Sequence, residues 1–353
     1  MKAVYYPEPN KFEIRDVPIP EPGPGEVLIK VRSSTICATD MKVFIGNWPG
    51  GKFPHIPGHE WSGEVVALGE GVNKVKVGDR VGVEVHVGCG KCEPCIYGMY
   101  NLCVNYGNTT LGHQHIGFTV PGGLAEYCAV SDKAVHRLPD GLDYDQGAMT
   151  DNIGVALHAV ERASLRPGEN VVVIGPGAIG LLAVQVARSM SAGKIVVAGA
   201  GEGDAERLKT AIKYGADESI DVLAEENPAE AIKQKFGGQG PDVVIEFAGS
   251  EPAAKLALSC ARRGGRVALG GATGPGRNLN IDLSVIVRGH LNVFGCVANP
   301  RWVSARGLKM IERGDVDVRP LMTHHFDSLD DFGTAWRMTH QKEDCAIRVM
   351  IHP

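Results

Sequence analysis

The stretch "NVVVIGPGAIGLLAVQVARSM", Asn170–Met190, places an apolar β-branched run before a glycine-bearing turn and a helical apolar run after it. Gly175, Gly177 and Gly180, with Ala178 and Ile179 between the last two, make the pattern G-x-G-x-x-G. Alone, that pattern reads equally as a plain glycine-rich turn. Between a strand and a helix it predicts a dinucleotide pyrophosphate seated on the helix N-terminus, where free N–H groups and the helix dipole favour an anion. Downstream the rhythm continues through "KIVVAGA", "AERLKTAIKYGA", "PDVVIEFAG", "EPAAKLALSCARRGG" and "RVALGG". Strand–helix alternation of this kind predicts a parallel, doubly wound α/β sheet, here over residues 153–295.

Upstream the pattern differs. Short β-like runs, "EVLIKVRS", "WSGEVVALG", "DRVGVEV" and "GGLAEYCAV", are separated by Gly and Pro, which predicts a mostly antiparallel β domain over residues 1–152. After "LNVFGCVANP" come a helical stretch, "WVSARGLKMIERG", and a short final strand, "DCAIRVMI". That strand is expected to return residues 296–353 to the first domain. A chain of 353 residues fits two such domains, expected to meet along a cleft.

A net charge of −5 with no basic run argues against nucleic acid or an anionic membrane surface and leaves a small molecule as the expected partner. No segment approaches the ~20 apolar residues of a membrane span, and "MKAVYYPEPNKFEIRDVPIP" lacks the apolar run of a signal peptide. The expected location is the cytoplasm, where the nine cysteines are thiols. Four of them, Cys89, Cys92, Cys95 and Cys103, fall in "CGKCEPCIYGMYNLC" with spacing C-x2-C-x2-C-x7-C. Thiolates so spaced suit a closed, structural tetrahedral zinc; scattered core cysteines and an iron–sulfur cluster are the alternatives. Upstream, "CATD" and "PGHEW" supply Cys37, His59 and Glu60. A lone His beside a Glu is ordinarily a surface or core pair. Together with Cys37, and with Glu60 or a more distant carboxylate as third donor, it makes the open ligand set of a catalytic zinc.

These motifs, with "GGLAEYC", "GPGAIG", "GAD" and "VRPLMTHHF", follow one another as in the zinc-dependent medium-chain alcohol and polyol dehydrogenases, which the chain resembles over nearly its whole length. "DNIGVALHA" and "VRPLMTHHF" resemble the sorbitol dehydrogenase branch most. The resemblance implies a GroES-like catalytic domain with a zinc lobe at about residues 86–105, a Rossmann cofactor domain, two Zn2+ per chain, NAD or NADP, and a homodimer or homotetramer. By it, Cys37, His59 and either Glu60 or Asp151 hold the catalytic zinc, Asp40 orients His59, and the Thr39 hydroxyl receives the substrate proton. The implied reaction moves a hydride from an alcohol or polyol to the nicotinamide. Trp48, Phe118, Asn299, Arg301 and Trp302 fall at substrate-side positions.

The chain also departs from the family. Lys42 stands where many members carry a proton-relay His, and reads as a solvated surface residue. Gly199 ends the second Rossmann strand where NAD enzymes keep an acid for the ribose hydroxyls; Glu202 is the expected substitute, with Arg207 as phosphate ligand if NADP is used instead. Three other functions remain open on sequence: oxidation of simple alcohols, a zinc-free NADPH-dependent quinone or enone reductase, and a nucleotide-binding protein without activity.

Overall fold

The computed structural model describes residues 1–271 and 278–353. The chain divides into two units: Met1–Gly154 with Ala298–Arg313 and Val318–Pro353, and Val155–Val297 with Gly314–Asp317. In the second, a six-stranded sheet runs Glu218–Asp221, Ile195–Gly199, Val171–Ile174, Val243–Glu246, Arg266–Leu269, Asn292–Gly295 across its width. All five pairings are parallel. Numbered along the chain the order is 3-2-1-4-5-6, the doubly wound Rossmann arrangement that the alternating pattern predicts. Val171–Ile174 and Val243–Glu246 are buried at every residue, as strands covered by helices on both faces must be.

The G-x-G-x-x-G turn follows the central strand, Val171–Ile174, and its glycines do different work. Gly175 has φ +97°, which L side chains rarely adopt, and a Cβ there would lie 2.6 Å from the backbone nitrogen of Ala248. At Gly180 a Cβ would sit 2.0 Å from the carbonyl oxygen of Gly175, so only glycine lets helix Ala178–Ser189 close on the strand. Gly177, the N-cap of that helix, has an ordinary φ of −72°. Nothing lies within 4 Å of a Cβ placed on it.

The first unit is built on a mostly antiparallel seven-stranded sheet. Across it lie Met322–Phe326, Arg348–Ile351, Glu26–Ile36, Glu60–Leu68, Arg80–Val83 and Val135–Arg137, with Tyr127–Ser131 also pairing Glu26–Ile36. Arg348–Ile351 is therefore interior, parallel to Met322–Phe326 and antiparallel to Glu26–Ile36. One core gathers Tyr6, Ile36, Phe118, Phe332, Val349 and Ile351; another, on Trp61, Val65, Val81 and Val135, also belongs to this unit. The register pairs Thr35 with Glu60 and Ile36 with Val349, which brings the ends of three strands to one place.

Candidate active site and cysteine lobe

At that place the chain leaves strand Glu26–Ile36 through Cys37 and enters strand Glu60–Leu68 from His59. One donor atom each from Cys37, His59 and Glu60 lies within 4.8 Å of the others, a spacing one metal ion can bridge. Asp40 opens the short helix Asp40–Phe44 and is wholly buried. Its Oδ1 lies 2.8 Å from Nδ1 of His59, and its Oδ2 accepts a 2.8 Å hydrogen bond from the Cys37 amide. The carboxylate thus makes Nδ1 the donor and leaves Nε2 as the donor atom for a metal. Thr39 is half-buried one residue before this helix, and its side chain makes no capping bond. Lys42, in the same helix, is half-buried rather than fully solvated.

Glu60 is held firmly. Its Oε2 accepts from Thr35 Oγ1 at 2.5 Å, and its Oε1 accepts from Asn152 Nδ2 at 2.7 Å and from the Arg348 guanidinium at 3.0 Å. Arg348 is buried as well, and its pKa is raised: desolvation opposes its charge, but Glu60, Cys37 and Asp40 outweigh that. A Cys37–His59–Glu60 cluster with the Asp40 carboxylate beside it carries more negative than positive groups. Arg348 supplies the compensating charge. Asp151, in the first turn of helix Thr150–Arg162, lies outside the 4.8 Å donor group. Its Oδ1 is buried without a partner, and burial pushes its carboxyl up to about 7, with His59 opposing and Glu60 and Glu84 adding to the rise. A buried carboxylate oxygen left unpaired beside these donors suits a site meant for a cation.

Phe118 is buried with its ring 4.7 Å from that of His59, and Trp48 packs on Phe118 at 4.6 Å. Trp48 Nε1 donates to Tyr106 Oη at 3.0 Å, and Tyr106 in turn bonds His115. Phe118 belongs to the core cluster that holds Tyr6 and Ile36, and Trp48 packs against it, so the two rings extend that core to the side of His59.

Of "ANPRW", Ala298 packs against the same cluster as Trp48, while the polar residues are engaged elsewhere. Asn299 Nδ2 is spent on Ser304 Oγ at 2.8 Å and on the Pro300 carbonyl. Arg301 begins helix Arg301–Glu312; its amide donates to the Gly98 carbonyl at 3.3 Å and its guanidinium lies over the Tyr100 ring at 6.0 Å. A Cβ on Gly98 would be 2.8 Å from the Trp302 ring. Asn299 is thus engaged with the first turn of helix Arg301–Glu312, and Arg301 with the cysteine lobe.

In that lobe all four thiols converge within 4.8 Å, with Sγ–Sγ separations of 4.0 Å for Cys89–Cys95 and 3.9 Å for Cys92–Cys103. Four sulfurs at ~2.3 Å from one zinc sit ~3.8 Å apart, so the set has tetrahedral dimensions. Backbone N–H groups of Lys91 and Cys92, with Asn105 Nδ2, pull the Cys89 thiol down to about 6, whereas burial pushes the Cys95 thiol up to about 12. None of the nine cysteines is in a disulfide.

In the second unit the open space above Gly177 and the uncapped helix N-terminus form a cradle that a side chain would fill. Gly199 ends its strand closely packed: a Cβ would lie 3.0–3.1 Å from Leu208, Asp204 and Pro176. The carboxylate next to it is Asp204, buried, its Oδ2 accepting from the Ala200 amide at 3.0 Å and its Oδ1 3.7 Å from Arg207. Glu202 is exposed, and Arg207 is buried against Asp204. Of the two loop carboxylates, Asp204 lies under the strand end and Glu202 faces solvent, and burial alone separates them.

Residues 23–140 match the family described as alcohol dehydrogenase GroES-like domain, and residues 178–312 match that described as zinc-binding dehydrogenase. Sorbitol dehydrogenase of Bacillus subtilis (strain 168) is 34% identical, the alignment covering 100% of this chain and 97% of that protein. L-threonine 3-dehydrogenase of Escherichia coli (strain K12) is 34% identical over 90% of this chain and 89% of its own. Among solved structures, a candidate zinc-binding dehydrogenase of Sinorhizobium meliloti 1021, bound to NADP, superposes with a TM-score of 0.90 at 30% identity, covering 100% of this chain and 99% of that one. The chain belongs to the zinc-dependent medium-chain alcohol and polyol dehydrogenases, as its GroES-like and Rossmann units and its two donor sets imply.

Proposed function

We propose that this chain is a zinc- and NAD-dependent dehydrogenase of secondary alcohols of the polyol type, with Cys37, His59 and Glu60 holding the catalytic zinc. The observation that carries this reading is the single donor set in which Asp40 frees Nε2 of His59 and Arg348 balances the carboxylates. Bound there, zinc supplies a Lewis acid that makes an alcohol hydroxyl acidic near neutral pH. The Thr39 hydroxyl would accept the proton released from that hydroxyl while passing its own hydrogen on toward solvent, so that it stays neutral. Asp40 keeps His59 in one tautomer throughout, and Phe118 and Trp48 shut water from one side of the substrate. The nicotinamide supplies the hydride acceptor. Gly177 and the first amides of helix Ala178–Ser189 hold its pyrophosphate. Asp151, close to but outside the donor group, serves as an alternative carboxylate or holds a water.

NAD is the favoured dinucleotide, because Asp204 beside Gly199 sets negative charge where a 2′-phosphate needs a cation, and Arg207 is already paired with it. Cys89, Cys92, Cys95 and Cys103 hold a second, structural zinc. The domains are assigned as residues 1–152 with 296–353 and residues 153–295. Exposed Ile96, Tyr97 and Val104 on the lobe support self-association as a homodimer or homotetramer, and nine unpaired thiols support a cytoplasmic location. Among the described residues no helix is long and apolar enough to cross a membrane.

The test is appearance of reduced cofactor over a panel of polyols and simple alcohols, with NAD and NADP in parallel, for wild type and Cys37→Ser. Turnover on polyols with NAD, lost in the variant while it still binds cofactor, is expected. A variant that keeps its activity at normal zinc content removes Cys37 from the site, and a higher kcat/KM with NADP overturns the cofactor assignment.

A further inference from the structure

Another convergence of donor atoms in the first unit involves neither cysteine set. Asp145 on helix Tyr144–Ala148, His325 on strand Met322–Phe326, and His352 just past strand Arg348–Ile351 bring three donor atoms within 4.8 Å of one another. Asp145 Oδ1 is 2.9 Å from His352 Nε2, and Asp145 Oδ2 is 3.5 Å from His325 Nδ1. The two imidazole rings stack at 5.7 Å with their planes 27° apart. The backbone enforces the meeting, since His325 pairs with Met350 across the two strands and the His352 amide donates to the Phe326 carbonyl.

What each ring does with its other nitrogen is decisive. His325 Nε2 lies 3.2 Å from the Met322 carbonyl, which can only accept, so Nε2 carries the hydrogen. His352 Nδ1 lies 2.9 Å from Asp327 Oδ1 and carries the hydrogen for the same reason. In the neutral rings, Nδ1 of His325 and Nε2 of His352 then present lone pairs, and both face the Asp145 carboxylate, which has only lone pairs to offer. Asp145 and Asp327 raise the pKa of His352 to about 9, so a proton on that ring meets both carboxylates. It leaves Nδ1 of His325 facing an Asp145 oxygen 3.5 Å away, and protonating that ring too would stack two cations at 5.7 Å with one carboxylate between them. A single metal ion satisfies all three donors with one centre. Each histidine already has the carbonyl or carboxylate partner on its far nitrogen that metal-binding histidines use.

We propose that Asp145, His325 and His352 form a further Zn2+ site, open to solvent on one side and separate from both cysteine-containing sets. Two imidazoles and one carboxylate select a late first-row divalent ion over Mg2+ or Ca2+, which prefer oxygen. Donors at ~2.0–2.1 Å from a tetrahedral zinc lie ~3.3 Å apart, between the two separations observed here. The ion clips the end of strand Arg348–Ile351 to helix Tyr144–Ala148. That strand carries the Arg348 that holds Glu60.

The experiment saturates tag-free wild type, His325→Ala and Asp145→Asn with Zn2+, removes loosely held metal with a weak chelator, and measures zinc per chain. His325 is exposed enough that its alanine variant is expected to fold. The wild type should retain one zinc per chain more than either variant. With Co2+, that additional equivalent should lack the thiolate charge-transfer absorption that cysteine-bound cobalt gives. Equal zinc in all three proteins overturns the proposal. Failure of the cysteine-site assignments would instead lower the metal common to all three, leaving the difference between them intact.

Discussion

Alanine at Gly177 and alanine at Gly180 should have opposite signatures, although both remove a glycine from the same turn. Gly177 has φ −72° and ψ 178°, which any residue adopts, and an added Cβ meets nothing within 4 Å. Folding stability of Gly177→Ala should stay within about 0.5 kcal/mol of wild type. The methyl group projects into the space over the first amides of helix Ala178–Ser189, where the pyrophosphate is proposed to sit. Loss of one charge-assisted hydrogen bond costs ~1.5–3 kcal/mol, which is roughly a 10- to 150-fold weaker Kd. At Gly180 the Cβ would sit 2.0 Å from a backbone carbonyl, so the helix must move off its strand. That change should cost ~1–3 kcal/mol of stability and weaken binding as well. Titrating the fluorescence of NADH against each protein, alongside thermal denaturation, separates the cases. A Gly177→Ala protein that binds dinucleotide like wild type, or one destabilised as much as Gly180→Ala, would refute the assignment of that open space to the cofactor.

Cys95→Ser should lower Tm and release one zinc while the metal at Cys37 stays, since a closed site contributes folding energy; elemental analysis against melting temperature checks this. Arg348→Met should destabilise the first unit by ~3–5 kcal/mol, because Glu60 would keep its buried charge without its partner, and adding Glu60→Gln should recover part of the loss in denaturation measurements. Arg301→Ala should leave KM for polyols within about twofold of wild type while lowering Tm slightly, a contrast that steady-state kinetics and melting curves can read.

The glycine-rich turn and the parallel sheet were legible because both are local. A strand buried on two faces must be an unbroken apolar run, and the turn needs glycines at fixed offsets. The cysteine lobe was legible for a similar reason, since four donors within fifteen residues can hardly avoid one another. Cys37 and His59 could be picked out as a pair, but the group that holds Glu60 could not. Asn152 and Arg348 reach it from 92 and 288 residues away, and nothing in "DNIGVALHA" or "DCAIRVMI" marks one polar residue as buried. Charge in a short loop poses the same difficulty. Glu202 and Asp204 are near neighbours in sequence, yet one faces solvent and the other lies under the end of a strand. Arg301 was legible only as a family position, since its contact with Tyr100 depends on a helix that returns from beyond the second unit.

The interior position of strand Arg348–Ile351 also constrains the order in which the molecule can be made. Synthesis runs from the N-terminus, and all of residues 155–297 leave the ribosome before this strand exists. The second unit has its whole parallel sheet by then and can fold as it emerges. The first unit has Cys37, His59 and Glu60 in hand early, yet the slot between Glu26–Ile36 and Met322–Phe326 stays vacant and Glu60 lacks its guanidinium. Throughout most of translation the metal donors are therefore present without the charge that balances them, so the centre is completed as one of the last acts of folding, on a scaffold whose partner is already finished.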